Sequence, residues 1–380
     1  MKNLLFLCCL ALNLDSQVLN SRSVVHPVVG QKGMVVTQHF IASKIGSEVL
    51  QSGGNAFDAT VAVSFALAVV LPRAGNIGGG GFAVIYHKDE NVFETLDYRE
   101  KASENSSRDM YLIDGEFDPK LSTEGYKAIA VPGTVDGMWE LHQKYGSLPW
   151  KDLIQPAIKL ASQGFRVTPY MADTLNSYQE RFYKFKTTRE IFYKKDGFKF
   201  NDVFIQKDLA QSLKLISTDG RKSFYEGQIA KKIVTDMKKN DGLLTLNDLK
   251  QYRSSWRKPL IGDYRGYKII TMPPPSSGGL HLIQMLNILE SFDLKLLGHN
   301  SAEYVLLLSE VMKYAFADRS KYLGDPDFYD VPVDKITSDH YSKKIFESIN
   351  IGSSKKSKDI YPGMFMDSES HETTHFSVAD

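Results

Sequence analysis

Cysteine is nearly absent: Cys8 and Cys9 are the whole complement of the 380 residues, and both fall within the first ten. Disulfide scaffolds, thiolate metal sites and cysteine nucleophiles are therefore excluded everywhere beyond that start. An excess of charge is missing as well, with 46 Lys and Arg against 45 Asp and Glu and a net charge of +1. So balanced a chain has no bulk attraction for a nucleic acid backbone or an anionic membrane surface. Nor is there an apolar run of the ~20 residues a bilayer crossing needs. The most apolar stretch, 56–71, is broken by Asp58, Thr60 and Ser64 and reads as a buried helix. No internal repeat is found. The remaining composition, 42% hydrophobic and 24% charged, rules out disordered and collagen-like classes and suits one large domain or two modest ones.

The two cysteines sit in the apolar run 4–12, after Lys2 and before Ser16, Ser21 and Ser23. This order is that of a secretory signal peptide, expected over residues 1–21. Its removal leaves a mature chain without thiols and without a membrane anchor. Export without disulfides suits a bacterial periplasm.

Residues 35–37 read as a short strand and 41–50 as a helix stopped by Gly53 and Gly54. Asn55 caps the apolar helix that comes next. Two runs, 82–86 and 92–96, flank the polar turn 88–91 and predict a β-hairpin. Helical patterns cover 135–145, 150–162, 207–217, 225–239, 280–290 and 301–322, with a strand pair around 262–272. Strands mixed with long helices indicate an α+β class. Residues 350–372 turn polar and read as a mobile connector, before β-branched and aromatic residues return at 373–378. A strand beginning there, with the sequence stopping at Asp380, is expected to belong to a longer chain.

Two motifs invite chemistry that their setting denies. His371, Glu372, Thr373, Thr374 and His375 spell H-E-x-x-H, which holds zinc only on a helix. Adjacent threonines after a polar connector argue against that helix, and no metal or cofactor is expected. Gly75, Gly78, Gly79, Gly80 and Gly81 resemble a phosphate loop, but no Gly-Lys-Ser/Thr comes after them and the run lies between helix and strand in the wrong order. A tight turn with close backbone approach is the better reading. The run 273–279, three prolines followed by two serines and two glycines, reads as a rigid turn.

Seven strings, in order, nonetheless resemble one family: Gly53-Gly-Asn-Ala-Phe-Asp-Ala59, residues 78–82, Leu96-Asp-Tyr-Arg-Glu100, Val131-Pro-Gly-Thr134, residues 273–279, Ala315-Phe-Ala-Asp-Arg319 with Tyr322-Leu-Gly-Asp-Pro326, and Thr373-Thr-His-Phe-Ser-Val378. They are similar to the γ-glutamyltranspeptidase (glutathione hydrolase) family from about Gly33 onward. The resemblance implies an N-terminal-nucleophile hydrolase fold, an α-β-β-α four-layer sandwich, incomplete in this chain. It implies a large-subunit segment over 22–372, self-cleavage between Glu372 and Thr373, and the truncated start of a small subunit at 373–380. Thr373 would be the nucleophile and Arg99 the ligand of the substrate's α-carboxylate. Glutathione and other γ-glutamyl compounds would be donors, amino acids or dipeptides acceptors, and the small subunit a partner.

The chemistry suits the residues. A threonine hydroxyl needs a base beside it. A free α-amine, with a reference pKa of about 7.7–8.0, is partly neutral near physiological pH and would supply that base once Thr373 becomes an N-terminus. Two alternatives stand beside this reading. One is a related acylase of other amides, such as β-lactam side chains; the other is a catalytically silent binding module, the behaviour expected of the 380 residues alone.

Overall fold

In a computed structural model of the chain, residues 28–363 are described. Residues 35–37, expected as a strand, form none. Helix α1 (Phe40–Gln51) buries Ala42, Ile45, Gly46 and Val49, the one-face spacing of an amphipathic helix. Helix α2 (Ala56–Val70) is different: Val61, Ala62, Phe65, Ala66 and Val69 are fully buried, because other helices surround it. That explains its largely apolar sequence. Helices α3 (Thr134–Tyr145), α4 (Trp150–Gln163) and α5 (Lys207–Asp219) complete the main core around it.

The string around Asn55 is accounted for by this packing. The Asn55 side chain accepts from the N–H groups of Phe57 and Asp58 at 2.9 Å, and Asp58 accepts in return from Asn55 N at 3.0 Å. Asp58, 0% exposed, also accepts from Ser147 N (3.0 Å), Leu148 N (3.2 Å) and the Ser147 hydroxyl (2.5 Å). One carboxylate thus ties the turn between α3 and α4 to the start of α2. Burial acts to raise its pKa, but the Ser147 hydroxyl and the N–H groups of Asn55, Ser147 and Leu148 hold it below the ordinary carboxylate value. A depressed native pKa contributes stability above the unfolded value, lost as pH falls through the native one. Asp58→Ala strands buried donors and is expected to cost about 2–4 kcal/mol in denaturant melts at neutral pH, with a smaller difference from wild type in strong acid.

Strands β1 (Phe82–His87) and β2 (Val92–Asp97) form the expected hairpin, pairing from Phe82 with Asp97 to His87 with Val92. Strand β3 (Ser255–Arg257) extends it on the other edge of β2, where Thr95, Leu96 and Asp97 face Arg257, Trp256 and Ser255. Between them run α6 (Arg221–Tyr225), α7 (Gln228–Lys239) and α8 (Leu246–Gln251). A separate hairpin, β4 (Leu260–Tyr264) and β5 (Tyr267–Thr271), turns at Arg265 and Gly266, both with positive φ. Among the described residues the largest sheet has three strands.

Helices α9 (Ser277–Glu290), α10 (Ala302–Tyr322) and α11 (Asp339–Ser348) enclose a second core that includes Ile288, Leu307, Val311, Tyr341 and Ile345. Of the stretch read as a connector, residues 350–363 lie along α10. Lys313 Nζ donates to Ser354 Oγ and the Lys355 carbonyl, both at 2.7 Å, Lys355 Nζ donates to the Tyr314 hydroxyl at 3.0 Å, and Ile360 is buried in this core. The expected signal peptide, and Glu372 and Thr373 with the rest of 364–380, lie outside the described residues.

Candidate active site

Asp97 ends β2 and organises the residues after it. Its Oδ1 accepts the backbone N–H of Arg99 at 3.0 Å, and its Oδ2 accepts Arg257 Nε at 2.9 Å. The other two nitrogens of Arg257 grip both oxygens of Asp327, at 2.8 and 3.0 Å. The hydrogen bonds that Arg257 donates to Asp327 and Asp97 raise its pKa against the effect of its burial, so it stays charged. From behind, the Tyr252 hydroxyl donates to the Arg99 carbonyl at 2.8 Å. Arg99 is thus fixed through both of its backbone polar groups while its side chain is exposed.

Glycines allow this segment to be gripped from two sides. Tyr98 exchanges backbone hydrogen bonds with Gly81 at 3.0 and 3.3 Å. A Cβ at Gly80 or at Gly133 would strike the Tyr98 carbonyl oxygen, and one at Gly137 the Tyr98 ring. The Gly79 carbonyl in turn accepts the N–H groups of Gly133 (2.8 Å) and Thr134 (3.0 Å) at the start of α3. The glycine-rich turn is therefore a site of close approach, as its setting in the sequence implies. Behind it, Tyr252 stacks on Tyr225 with ring centres 5.6 Å apart, and the Tyr225 hydroxyl donates to the Pro132 carbonyl at 2.8 Å. Burial raises both phenol pKa values, keeping the hydroxyls protonated as donors. Buried Asp136 binds Arg221 and Ser254, and Arg221 also donates to the Tyr252 carbonyl at 3.0 Å.

In front of Arg99 is a cleft of about 340 Å³ lined by Gly80, Gly81, Phe82, Glu100, Pro275, Ser276, Ser277, Arg319 and Leu323. Ser276 caps α9, accepting from Gly278 N at 3.3 Å, and a Cβ at Gly279 would meet the Met272 carbonyl oxygen, so the helix start lies hard against the end of β5. Two larger depressions, of about 780 Å³ along α10 and about 830 Å³ between Lys120 and Asp241, do not include Arg99. The smaller cleft is the stronger candidate because it gathers residues from four of the seven strings, those around Gly80, Arg99, Ser276 and Arg319. Two guanidinium groups, one carboxylate and two serine hydroxyls in one cleft can bind a zwitterion or a dicarboxylate.

The family model of γ-glutamyltranspeptidase matches residues 42–380. The chain belongs to the γ-glutamyltranspeptidase family. It is 46% identical over 360 residues to the glutathione hydrolase proenzyme of Escherichia coli K12, across 94% of this chain and 62% of that protein. It is 37% identical to the acylase ACY 1 proenzyme of Pseudomonas sp. strain V22, across 93% of this chain and 64% of that one. The solved γ-glutamyltranspeptidase of Helicobacter pylori superposes with a TM-score of 0.88 at 48% identity, covering 91% of this chain and all of the solved one. The chain spans less than two thirds of the length of these curated relatives.

Within this γ-glutamyltranspeptidase fold, Arg99 is placed in the cleft, whereas Thr373 and Glu372 lie outside the described residues. Reading the strings one by one missed Glu100, Ser276, Ser277 and Arg319 as cleft residues. Each belongs to one of the seven strings, but about 180 to 220 residues separate those near Arg99 from Ser276 and Arg319. Only the pairing of β2 with β3 and the placement of α9 and α10 bring them together.

Proposed function

We propose that this chain is the large-subunit segment of a secreted γ-glutamyltransferase and glutathione hydrolase that matures by cutting itself between Glu372 and Thr373. The observation that carries the reading is the cleft around Arg99, whose backbone is fixed on both sides while its side chain is exposed there. Arg99 takes the α-carboxylate of a γ-glutamyl donor through two parallel hydrogen bonds. Glu100, beside it, carries the charge that an α-ammonium requires.

Thr373 Oγ1 first attacks the carbonyl carbon of Glu372. The Thr373 nitrogen keeps its proton and gains another as the peptide becomes an ester, and water then opens that ester to a Glu372 carboxylate and a free Thr373 amine. In turnover the amine takes the hydroxyl proton as Oγ1 attacks the γ-carbonyl, and passes it to the departing amine, Cys-Gly in the case of glutathione. Water or an amino acid then releases the γ-glutamyl ester. The second segment produced by the cut supplies the rest of the site and completes the α-β-β-α sandwich. A bacterial periplasm fits the amino-terminal pattern, and among the described residues no helix is long and apolar enough to cross a membrane.

Similarity to acylase ACY 1 keeps one other substrate class in view. A glutaryl amide keeps the terminal carboxylate but lacks the α-ammonium, so the two classes separate on one comparison. In the full-length precursor, the smaller fragment is expected to begin Thr-Thr-His-Phe on amino-terminal sequencing. The mature enzyme is expected to cleave γ-glutamyl anilide roughly 10–100-fold more efficiently than its glutaryl counterpart, which keeps the carboxylate for Arg99 but has no α-ammonium to pair with a carboxylate of the site. Equal rates on the two would favour the acylase, and a fragment beginning elsewhere would remove Thr373 from its role.

A further inference from the structure

The residue before Arg319 is a buried carboxylate whose described partners are neutral donors. Asp318 is 0% exposed. Its Oδ2 accepts from Gln284 Nε2 at 2.6 Å and from the Tyr341 hydroxyl at 2.8 Å, and its Oδ1 accepts the backbone N–H of Gly363 at 2.8 Å. The Gln284 amide is oriented by His281, whose Nδ1 lies 2.7 Å from Gln284 Oε1 and therefore donates to it. Burying a carboxylate is costly, and these hydrogen bonds from α9, α11 and the chain at Gly363 are what compensate it.

The bond to Gly363 has a direction. From Ser354, held at Lys313, to Gly363, held at Asp318, the chain runs along α10 toward that helix's carboxyl end. Gly363 has a φ of 75°, and a Cβ there would strike the Tyr322 hydroxyl, so the backbone passes tightly over Asp318 and Tyr322. Those two residues are four apart and share a face of α10. Arg319 and Leu323, the next residue along in each case, line the Arg99 cleft. One helix end thus holds the chain with one face and forms the cleft wall with the neighbouring face.

We propose that Asp318 is a positioning residue for self-cleavage: its bond to Gly363 fixes, beside the cleft, the point from which the chain runs to Glu372 and Thr373. This rests on the proposed cut between those two residues. The nine residues from 364 to 372 reach at most about 30–32 Å when extended, so an anchor beside the cleft keeps the scissile bond at high effective concentration there, and its release dilutes it. Asn at 318 keeps the size but presents an NH₂ group toward Gly363 N–H or toward the Gln284 and Tyr341 donors, so one side loses its acceptor. Tyr341→Phe removes one donor from the same carboxylate and leaves the Gly363 bond intact.

The test is the rate at which the fragment beginning at Thr373 appears from full-length precursors incubated after purification. Asp318→Asn is expected to slow it by about tenfold or more, with kcat and KM per processed molecule within about twofold of wild type. Tyr341→Phe is expected to mature at the wild-type rate. An Asp318→Asn precursor that keeps pace with wild type overturns the proposal. So does equal slowing in both variants in step with a lowered Tm, which would make the carboxylate a matter of stability alone. A wild-type precursor that never cuts refutes self-cleavage itself, a separate failure that is visible before any variant is made.

Discussion

Thr373→Ala in the full-length precursor is expected to leave a single uncut polypeptide with no measurable glutathione hydrolysis. Both losses come from one oxygen. Without Oγ1 nothing can attack the Glu372 carbonyl, and without the cut there is no α-amine to act as base. Removing a covalent nucleophile costs several orders of magnitude in kcat, on the order of 10⁴–10⁶ where measured in comparable acyl transfers. Thr373→Ser keeps the hydroxyl and is expected to process and turn over at a reduced rate, which separates loss of chemistry from loss of fold. A denaturing gel and a glutathione assay read both variants. An alanine precursor that still splits at this bond would place the nucleophile elsewhere.

Arg99→Lys is the second large effect, and it is expected in KM rather than kcat. Lysine keeps the charge but cannot offer two parallel N–H groups to a carboxylate, a loss of about 1.5–3 kcal/mol that corresponds to roughly 10–100-fold in KM. The substitution leaves the two backbone anchors of this position in place. Asp97 holds the Arg99 backbone N–H and Tyr252 its carbonyl, and neither bond involves the side chain that changes. Processing should continue at the wild-type rate, since the amide being cut there carries no free α-carboxylate. A drop in kcat with KM unchanged would mean that Arg99 acts on the reacting atoms instead of holding the far end of the donor.

The two effects depend on different parts of the molecule, and these were unequally legible. The β1–β2 hairpin was readable to within a residue because alternation and a polar turn are local signals, and Tyr98 and Arg99 come directly after its end at Asp97. Helices α3, α4 and α10 were equally plain, their apolar spacing repeating over at least three turns. The expected strand at 35–37 failed because β-branched residues describe a preference that only a neighbouring strand can realise. Helix α11, by contrast, was not foreseen: its buried face is reduced to Tyr341, Ser342 and Ile345, too few for periodicity to speak.

What the amino-acid sequence determined alone was the family, through seven strings in order, and with it the two residues on which the chemistry is proposed to turn. What the tertiary structure decided was which strings meet. Residues around Gly80, Arg99, Ser276 and Arg319 share one cleft, while the string around Asn55 is spent on capping α2 and pinning a turn. No local rule could have sorted these, because the pairing of β2 with β3 closes a loop of about 160 residues and is selected by packing across it. The same holds for Asp318, which in sequence is one acid in a helix and in space is the point where the chain leading to the proposed cleavage site is tied down.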